Sequence, residues 1–320
     1  MEALLAYLAK IPADGVWRGW AYRRIGGSAN NILYRATRGE MDVAVKFTIR
    51  DTRRRAWREF QALTALQDAG LNIAPRPILL DENSFAQPVM VQSWGAGEVT
   101  AVPPQADDDW LKLVAHYATL ATVTPADVAV EIPQAVVNFD SVVSGWQHIQ
   151  RQMELIPRQQ QPAILAQLYR QLQARYEVVE RAVIPVKKGL CRVDGNTRNF
   201  LRRDGRWLSV DWENSGWGDP AFEMVDLMCH PAYLDVSPER WQRVMQQYAQ
   251  MTGDETAVLR MNLTYPMMLV WWVARLARFL YEVPLGKDER LAARPPHWQA
   301  DMERKMNVYV ERATAVLRQL

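Results

Sequence analysis

The polar segment around residue 195 has residue types and spacing that are suited to chemistry. Asp194 and Asn199 lie five residues apart between apolar stretches, and a short apolar run further along the chain ends at Asp211. Phosphoryl transfer needs such a set: one carboxylate orients a hydroxyl group and accepts its proton, while an amide oxygen and a second carboxylate bind Mg²⁺. The same residues also fit a simple β-turn at 194–199 and a helix cap at Asp211. The spacing alone leaves both interpretations open.

A second candidate is a lysine inside the apolar run Val43 to Phe47. Burial of an unpaired ammonium is costly, so Lys46 should have an anionic partner, and Glu59 further along the chain is a candidate. A strand lysine paired with a helix glutamate is the arrangement that positions ATP phosphates. The alternative is an edge-strand lysine whose ammonium reaches water.

A glycine-containing turn precedes this lysine. Gly26, Gly27, Ser28 and Asn30 lie between two strand-like runs, where backbone N–H groups can contact phosphate oxygens. An ordinary hairpin would use the same residues. The turn, the lysine, the glutamate and the acidic loop follow one another in the order that a nucleotide site requires, and this order favours nucleotide binding.

The elements that must position these residues change in character along the chain. Up to a hinge at 93–97, runs of alternating apolar and polar residues indicate strands; beyond it, helical periodicity dominates, with Leu165, Leu168, Leu172, Tyr176 and Val179 on one face. We therefore predict an α+β protein with a small β-rich N-terminal lobe, a larger helical C-terminal lobe and a cleft between them. The predicted N-terminal elements are a helix at 1–12, three strands within 20–47, a helix from Asp51 or Thr52 to Gly70, and strands at 77–80 and 88–92.

Composition narrows the class of protein further. The 320 residues can bury a sizeable core, and the net charge of +2 gives no indication of nucleic-acid or membrane partners. Two cysteines cannot form a disulfide framework, and the N-terminus lacks the basic region of a signal peptide, so we expect a cytoplasmic protein. The apolar stretch Leu263 to Tyr281 contains Arg275 and Arg278, which favours a buried helix over a membrane span.

The sequence resembles the aminoglycoside phosphotransferase and choline kinase family, a small-molecule branch of the protein-kinase-like fold. The resemblance covers about residues 20–280 and is strongest at 191–201 and 210–220, continuing to Asp226-Leu227. In that family the first block usually reads H-G-D-x-H-x-x-N, and the second reads I-D-W-E with a downstream G-D-P.

The resemblance implies a role for each matching position. Asp194 would be the catalytic base, Asn199 and Asp211 would bind Mg²⁺, and Lys46 would bind the α- and β-phosphates of ATP with Glu59 as its orienting partner.

The same resemblance assigns the hinge and the division of the chain. Backbone groups near Gln92 and Trp94 would contact adenine, and Asp219 would hold the catalytic loop in shape. Residues 1–94 would form the nucleotide-binding lobe, and residues 95–320 the catalytic and substrate-binding lobe.

This chain departs from the family pattern inside the catalytic block. Arg192, Val193 and Asn196 stand where the family usually has His, Gly and His, and Arg198 replaces a residue that is normally small. Arg192 and Arg198 either lie near the transferred phosphate or an acidic acceptor, or pair with surface carboxylates.

The acceptor pocket is expected in the C-terminal lobe. Arg275 and Arg278 lie three residues apart, near one helix face, where they would meet a carboxylate or phosphate of the substrate or pair with a buried acid. Aromatic side chains would either line the pocket or belong to the helical core. The aromatic candidates are Trp212, Trp217, Tyr233, Trp271 and Trp272.

These observations predict an ATP- and Mg²⁺-dependent kinase that phosphorylates a hydroxyl group of a small molecule. The alternative is a nucleotide-binding regulator with little or no turnover, which the replacements at Arg192 and Val193 would permit. A protein kinase is disfavoured because the D-F-G and A-P-E patterns are missing, and an RNA-associated relative because the charge is balanced.

Overall fold

A computed structural model describes residues 1–26, 30–176, 184–287, 290–291 and 293–319. Gly27 and Ser28 of the predicted phosphate turn, and Val179 of the predicted helix face, lie outside the described residues.

An antiparallel sheet of six strands forms the N-terminal part, in the order β1-β2-β3-β4-β6-β5. Alternating or continuous apolar residues build these strands, and Tyr34, Val45 and Val91 are fully buried in its core. The elements are α1 (Glu2–Leu8), β1 (Gly15–Trp17), β2 (Trp20–Ile25), β3 (Asn31–Arg38), β4 (Met41–Thr48), α2 (Arg55–Asp68), β5 (Pro77–Asp81) and β6 (Val89–Ser93).

Helices dominate the remainder of the chain. The longest of them, α8, has an almost continuously apolar sequence and packs against α4, α5, α6, α7 and α9, which makes it the centre of the helical core. The helices are α3 (Asp107–Leu120), α4 (Val142–Glu154), α5 (Ala163–Tyr176), α6 (Phe222–Cys229), α7 (Pro238–Thr252), α8 (Ala257–Glu282) and α9 (Trp298–Gln319).

Short strands in this part hold the polar segments in place. They are β7 (Glu98–Val99), β8 (Gly189–Cys191), β9 (Phe200–Arg203), β10 (Arg206–Ser209) and β11 (Gly216–Gly218). Because β8 pairs with β11, and β9 with β7 and β10, the loop 192–199 and residue Asp211 are anchored at both ends. Gly216 allows a close crossing, since a Cβ there would lie 2.4 Å from the backbone of Ala135.

The architecture confirms the predicted combination of a β-rich N-terminal sheet with a helical C-terminal part. The periodicity of α5 is also confirmed, since Leu165, Leu168, Leu172 and Tyr176 are buried. None of the described helices has the length and apolar content that a bilayer crossing requires.

The predicted start of α2 was wrong. The residue before the helix is Arg54 in a left-handed conformation (φ 49°), and no side chain caps the helix. Asp51 instead accepts a hydrogen bond from the backbone N–H of Arg53 (3.0 Å) and contacts the guanidinium of Arg55 (2.9 Å). An aspartate that bonds its own turn in this way is not available to the helix. Strand β1 was not predicted.

Candidate functional site

A cavity of about 1110 Å³ lies between the sheet and the helical part. The residues predicted to bind nucleotide or metal or to act as the base, as far as they are described, all line it: Gly26, Asn30, Lys46, Glu59, Gln92, Trp94, Asp194, Asn199 and Asp211.

Strand β4 places Lys46 on the cavity wall with its ammonium among carboxylates. Its Nζ donates to Glu59 Oε2 on α2 at 2.7 Å and also contacts Asp211 Oδ1, while Glu213 Oε2 lies 3.9 Å away. The Lys46 side chain is 7% exposed and that of Glu59 is fully buried. The partner that the apolar strand required is therefore present, and a second one comes from the C-terminal part of the chain.

The charges in this cluster shift one another's titration. Burial alone would lower the pKa of Lys46, but the carboxylates of Asp211 and Glu59 outweigh burial and raise it. Burial raises the pKa of Glu59 to about 7 against the effect of Lys46, whereas Lys46 outweighs burial at Asp211 and lowers its pKa. Lys46 is therefore a permanent cation and Asp211 a permanent anion near neutral pH.

Two residues that sequence analysis did not identify extend this cluster. Glu213 contacts the guanidinium of Arg55 and accepts from Asn31 Nδ2 at 3.1 Å. Arg55 in turn contacts Asp51. The position of Glu213, two residues after Asp211 at the end of an apolar strand, was the available signal.

Asp194, the predicted base, lies at the tip of the loop between β8 and β9. Its Oδ1 accepts from the backbone N–H of Asn196 (3.1 Å) and its Oδ2 from Asn199 Nδ2 (3.0 Å). The side chain is 28% exposed, so its carboxylate is accessible from the cavity while two hydrogen bonds fix its orientation.

The backbone of this loop is held in a sparsely populated conformation. Val193 has φ 53° and Asp194 has φ 102°, both in the region that favours glycine. Two acids of α6 receive the N–H groups that this conformation exposes: Glu223 accepts from Val193 (3.2 Å), and Asp226 accepts from Asp194 (3.0 Å) and Gly195 (2.8 Å). Sequence analysis did not predict this support. The signal was the i, i+3 spacing of two acids on a buried helix.

Burial raises the pKa of Asp194 to about 6; Arg192 opposes this shift, and the carboxylates of Asp211 and Asp226 add to it. His230 Nε2 lies 3.7 Å from Asp194 Oδ1, and His230 Nδ1 accepts from the backbone of Ala232. Burial and Arg192 lower the pKa of His230 to about 3, so the imidazole is neutral at physiological pH. Sequence analysis did not identify His230 as a neighbour of Asp194.

Asn199 and Asp211 have the donor chemistry that Mg²⁺ prefers. Asn199 uses its amide nitrogen on Asp194, which leaves its carbonyl oxygen available, and Asp211 is ionised and 31% exposed to the cavity. No group of three or more His, Cys, Asp or Glu side chains among the described residues could hold an ion. A Mg²⁺ ion bound with a nucleotide takes one or two carboxylates from the protein and further oxygens from phosphates, and the two residues fit that requirement.

The first two residues of the hinge between the sheet and the helices use their backbone N–H groups internally. Ser93 N donates to Arg76 O and Trp94 N to Asp42 O, each at 2.9 Å. The buried Gln92 has an Oε1 atom without a hydrogen-bond partner among the described residues. A contact with adenine at these positions therefore falls to the Trp94 ring, to hinge carbonyl groups or to Gln92.

Arg192 does not take either role that the sequence suggested. It is fully buried, donates to the backbone carbonyl groups of Asp194 and Val210, and stacks on the ring of Phe200 at 4.8 Å. It therefore joins the loop of Asp194 to the segment after β10 that carries Asp211, and it is not among the residues that line the described cavity. Arg198, by contrast, is exposed and lines the cavity.

Asp219, expected to hold the catalytic loop, is fully buried and pairs with Arg260 of α8 at 2.7 and 2.9 Å. The hydrogen bonds to the loop itself come from Glu223 and Asp226. Asp219 thus fixes the start of α6 against α8, and α6 then supports the loop.

The aromatic candidates divide into two groups. Trp271 and Trp272 of α8 line the cavity, as do Arg275 and Arg278 one turn further along. Trp212, Trp217 and Tyr233 belong to the helical core and are absent from the described cavity wall.

Comparisons with known proteins agree with this geometry. Among solved structures, the fold is similar to a choline/ethanolamine kinase family protein from Mesorhizobium loti (TM-score 0.65, 18% identity, covering 99% of this chain and 94% of that chain). It is also similar to a choline kinase from Streptococcus pneumoniae (0.61, 15%, 100% and 98%) and to a spectinomycin phosphotransferase in complex with ADP and spectinomycin (0.63, 14%, 100% and 98%). A search of curated proteins found no match.

A family model matches most of the chain. Residues 21–261 match the model described as the phosphotransferase enzyme family, and this range contains every residue predicted to bind nucleotide or metal or to act as the base. The chain therefore belongs to the phosphotransferase enzyme family.

Proposed function

We propose that this protein is an ATP- and Mg²⁺-dependent kinase that transfers a phosphoryl group to a hydroxyl group of a small molecule. The observation that carries the proposal is the convergence of Lys46, Asp194, Asn199 and Asp211 on one cavity from three separate segments of the chain. We propose that residues 1–94 form the nucleotide-binding lobe and that residues 95–320 form the catalytic and acceptor-binding lobe.

Lys46 would bind the α- and β-phosphates, and Glu59 keeps its ammonium in position. The turn at Gly26–Asn30 would cover the phosphates, and Gln92 and Trp94 would contact the adenine. Asn199 and Asp211 would hold Mg²⁺, which neutralises charge on the phosphates when bound. Cys191 and Cys229 are buried free thiols. Since reduced thiols and ATP are both found in the cytoplasm, we place the reaction there.

Asp194 would act on the acceptor. Its carboxylate orients the hydroxyl group and takes its proton as the hydroxyl oxygen bonds to the γ-phosphorus. The bond from that phosphorus to the β–γ bridging oxygen breaks, and ADP leaves with the electron pair. The hydrogen bonds from Asn196 and Asn199 fix the carboxylate before the acceptor arrives, so little reorganisation is needed at the moment of transfer.

The buried position of Arg192 favours an enzyme over a binding-only regulator. A charged side chain replaces the usual histidine, yet it donates to the backbone on either side of the site and leaves the Asp194 carboxylate accessible. The replacement therefore preserves the position of the base.

The test is a metabolite-library screen for ADP release from ATP with Mg²⁺, using Asp194→Ala and the exposed Asp108→Ala as matched variants. We expect acceptor-dependent ADP release by the wild type and Asp108→Ala, and its loss in Asp194→Ala. Calorimetry with ATP runs in parallel. Binding of ATP with no ADP release above that of Asp194→Ala across the library would favour the regulator.

A further inference from the structure

The acceptor side of the cavity is built largely by α8, and its chemistry differs from that of the nucleotide side. Trp271, Arg275 and Phe279 follow one another at four-residue intervals, so they lie on one face of the helix, and all three line the cavity. Arg278 lies beside them on the same wall. This face of α8 is therefore both aromatic and cationic.

Arg275 has no acidic partner among the residues that the structure describes. Its guanidinium lies 5.3 Å from the ring centre of Trp271 and 5.9 Å from that of Phe279, and it makes no hydrogen bond or ion pair with any other described residue. Its neighbour Arg278 is different, since it pairs with Glu282 at 2.8 Å and donates to Gln152 at 3.3 Å. The sequence left open whether each arginine binds the substrate or pairs with an acid. Arg278 pairs with an acid, whereas Arg275 is available to a substrate.

Because of its surroundings, a guanidinium of Arg275 without a counter-ion costs stability. The side chain is partly buried, and burial together with the charge of Arg278 lowers its pKa, while the charge of Asp194 opposes that shift. Asp194 is therefore close enough to Arg275 for their charges to interact. A charge that is held in a partly buried wall without a counter-ion is destabilising unless a ligand supplies one.

Other charges on this side add to the excess of positive charge. Arg151, Arg198 and Lys287 also line the cavity, and they and the two α8 arginines outnumber the described acids near them, which are Glu282, paired with Arg278, and Asp194 with its neighbour Asp226. Neither Arg151 nor Arg198 forms an ion pair within the described part of the chain. A small molecule that approaches Asp194 therefore meets a net positive surface.

We propose that the acceptor is an anionic alcohol, whose carboxylate or phosphate ester is bound by Arg275 while its hydroxyl group reaches Asp194. This inference rests on the proposed function and adds the substrate class to it. A planar guanidinium that projects from an aromatic wall is suited to a two-oxygen anion, which it binds with two parallel hydrogen bonds.

The proposal separates this chain from the substrates named for its structural neighbours. Choline and spectinomycin are cations, and such a molecule would meet Arg275 and the exposed Arg151 on a wall where the described cationic side chains outnumber the described carboxylates. The phosphoryl transfer itself is unchanged: the hydroxyl proton passes to Asp194, the oxygen–phosphorus bond forms, and ADP departs.

The first experiment measures anion binding directly by calorimetry, with AMP-PNP and Mg²⁺ at saturation so that the phosphate site beside Lys46 is filled. The probes are inorganic phosphate, glycerol 3-phosphate and glycerate, with glycerol and choline as neutral and cationic comparisons. The variants are Arg275→Met, which keeps the length and apolar character of the side chain, Arg275→Lys, and Arg170→Met, which removes an exposed positive charge on α5.

We expect at least one of the anions to bind the wild type and Arg170→Met more tightly than glycerol or choline does, and Arg275→Met to weaken that binding by a factor of ten or more. Arg275→Lys should fall between them. Binding of glycerate but not phosphate, or the reverse, identifies the anion. Since Arg275→Met removes an unpaired charge, its melting temperature without ligand should equal or exceed that of the wild type, which separates a binding role from a structural one.

Three results would overturn the proposal: no detectable anion binding, equal anion binding by Arg275→Met and the wild type, or tighter binding of glycerol or choline than of every anion. The AMP-PNP titration is read separately. Failure to bind AMP-PNP would count against the proposed function, while the comparison of Arg275→Met with the wild type, repeated without nucleotide, would still decide the substrate class.

Discussion

Lys46 and Arg55 on the sheet side of the cavity each contact two carboxylates, whereas Arg275 on the α8 side contacts none among the described residues. Both sides line one cavity, but Lys46 and Arg55 are buried whereas Arg275 is only partly buried. Paired charges keep a fixed geometry without a ligand, and a nucleotide that binds as proposed would meet a wall that is already ordered. An unpaired charge gains its partner only when a ligand binds, and under our proposal this would make the α8 side the one that selects the acceptor.

The point where the two sides meet is Asp194, and its replacement should have the largest effect. Asp194→Asn keeps the shape of the side chain but removes its charge and basicity, so turnover should fall by about 10²–10⁴-fold, or about 3–5 kcal/mol in the barrier. The nucleotide dissociation constant should change little because the carboxylate faces the acceptor. Steady-state kinetics and calorimetry give the two quantities.

Wild-type turnover in Asp194→Asn would contradict the mechanism. Loss of turnover and of nucleotide binding together would instead indicate that the loop folds incorrectly without the carboxylate. Asp108→Asn on the exposed face of α3 serves as the control for the loss of one negative charge.

The next prediction concerns the sheet side of the cavity, where the cations are paired with carboxylates. Lys46→Met removes the cation between Glu59 and Asp211 and leaves buried carboxylates without a counter-ion, which costs about 3–5 kcal/mol in comparable buried pairs. The effect should lie near the lower end because Glu59, with a pKa raised to about 7, can take up a proton. Urea unfolding at pH 7 measures the free energy of unfolding.

The matched control for Lys46→Met is Lys112→Met, which removes the lysine of an exposed ion pair with Asp108 on α3. Its cost should lie within about 1 kcal/mol. Equal losses in the two variants would show that burial of the Lys46 cluster contributes nothing to stability. ATP binding should weaken in Lys46→Met alone.

The sequence predicted the sheet side better than the α8 side, for a physical reason. An ammonium inside an apolar strand must have a partner, so residue type and local pattern were sufficient to relate Lys46 to Glu59. Whether a helix arginine has a partner depends on what packs opposite it. For Arg278 the spacing held part of the answer, since Glu282 follows it by four residues on α8 whereas Phe279 follows Arg275. The contact of Arg278 with Gln152 depends on the packing of α4 against α8.

Dependence on packing also explains why the sequence did not predict the contacts of Arg192 or the hydrogen bonds that support the loop of Asp194. Sequence pattern predicted Asp194, Asn199 and Asp211 as site residues, which the structure brings to one cavity, and it predicted the fold class, which the structure confirms. It did not show that the backbone at 193–195 directs its N–H groups toward α6, because backbone conformation at a non-glycine residue leaves no mark in the sequence. The roles of Glu223 and Asp226 follow from that conformation.

Arg192 offers the third prediction, since it is a buried cation whose partners are carbonyl groups. Arg192→Met should destabilise the protein by about 1.5–3 kcal/mol, the range for a hydrogen bond to a charged group, because the carbonyls of Asp194 and Val210 lose their donor. Turnover should fall as well, because the loop loses its link to the strand end at Asp211. Urea unfolding checks the stability and ADP release checks the turnover.

Arg206→Met, on the exposed end of β10, is the control for Arg192→Met. Arg192→His restores the residue that is usual in the family and should recover part of the lost turnover. Full stability and full turnover in Arg192→Met would show that the carbonyl contacts do not support the loop.

The prediction with the smallest expected effect concerns Glu223, a buried acid that is neutralised by a proton and not by a cationic partner. Burial and the Asp226 carboxylate raise the pKa of Glu223 to about 8, against the effect of Arg192. The folded protein therefore keeps a proton on Glu223 between about pH 4.5 and 8, where the unfolded chain has lost it. Since the folded state binds more protons in this window, its stability falls as pH rises through the window.

Glu223→Gln removes the titration but retains an oxygen for the N–H of Val193, so the difference in unfolding free energy between pH 5 and pH 8 should shrink by an amount on the order of 1–2 kcal/mol. Urea unfolding at the two pH values measures the difference, with Glu239→Gln on the exposed start of α7 as the control. A pH dependence that is identical in the wild type and Glu223→Gln would mean that Glu223 is ionised beneath the loop, and the base would then rest on a second paired cluster like that of Lys46.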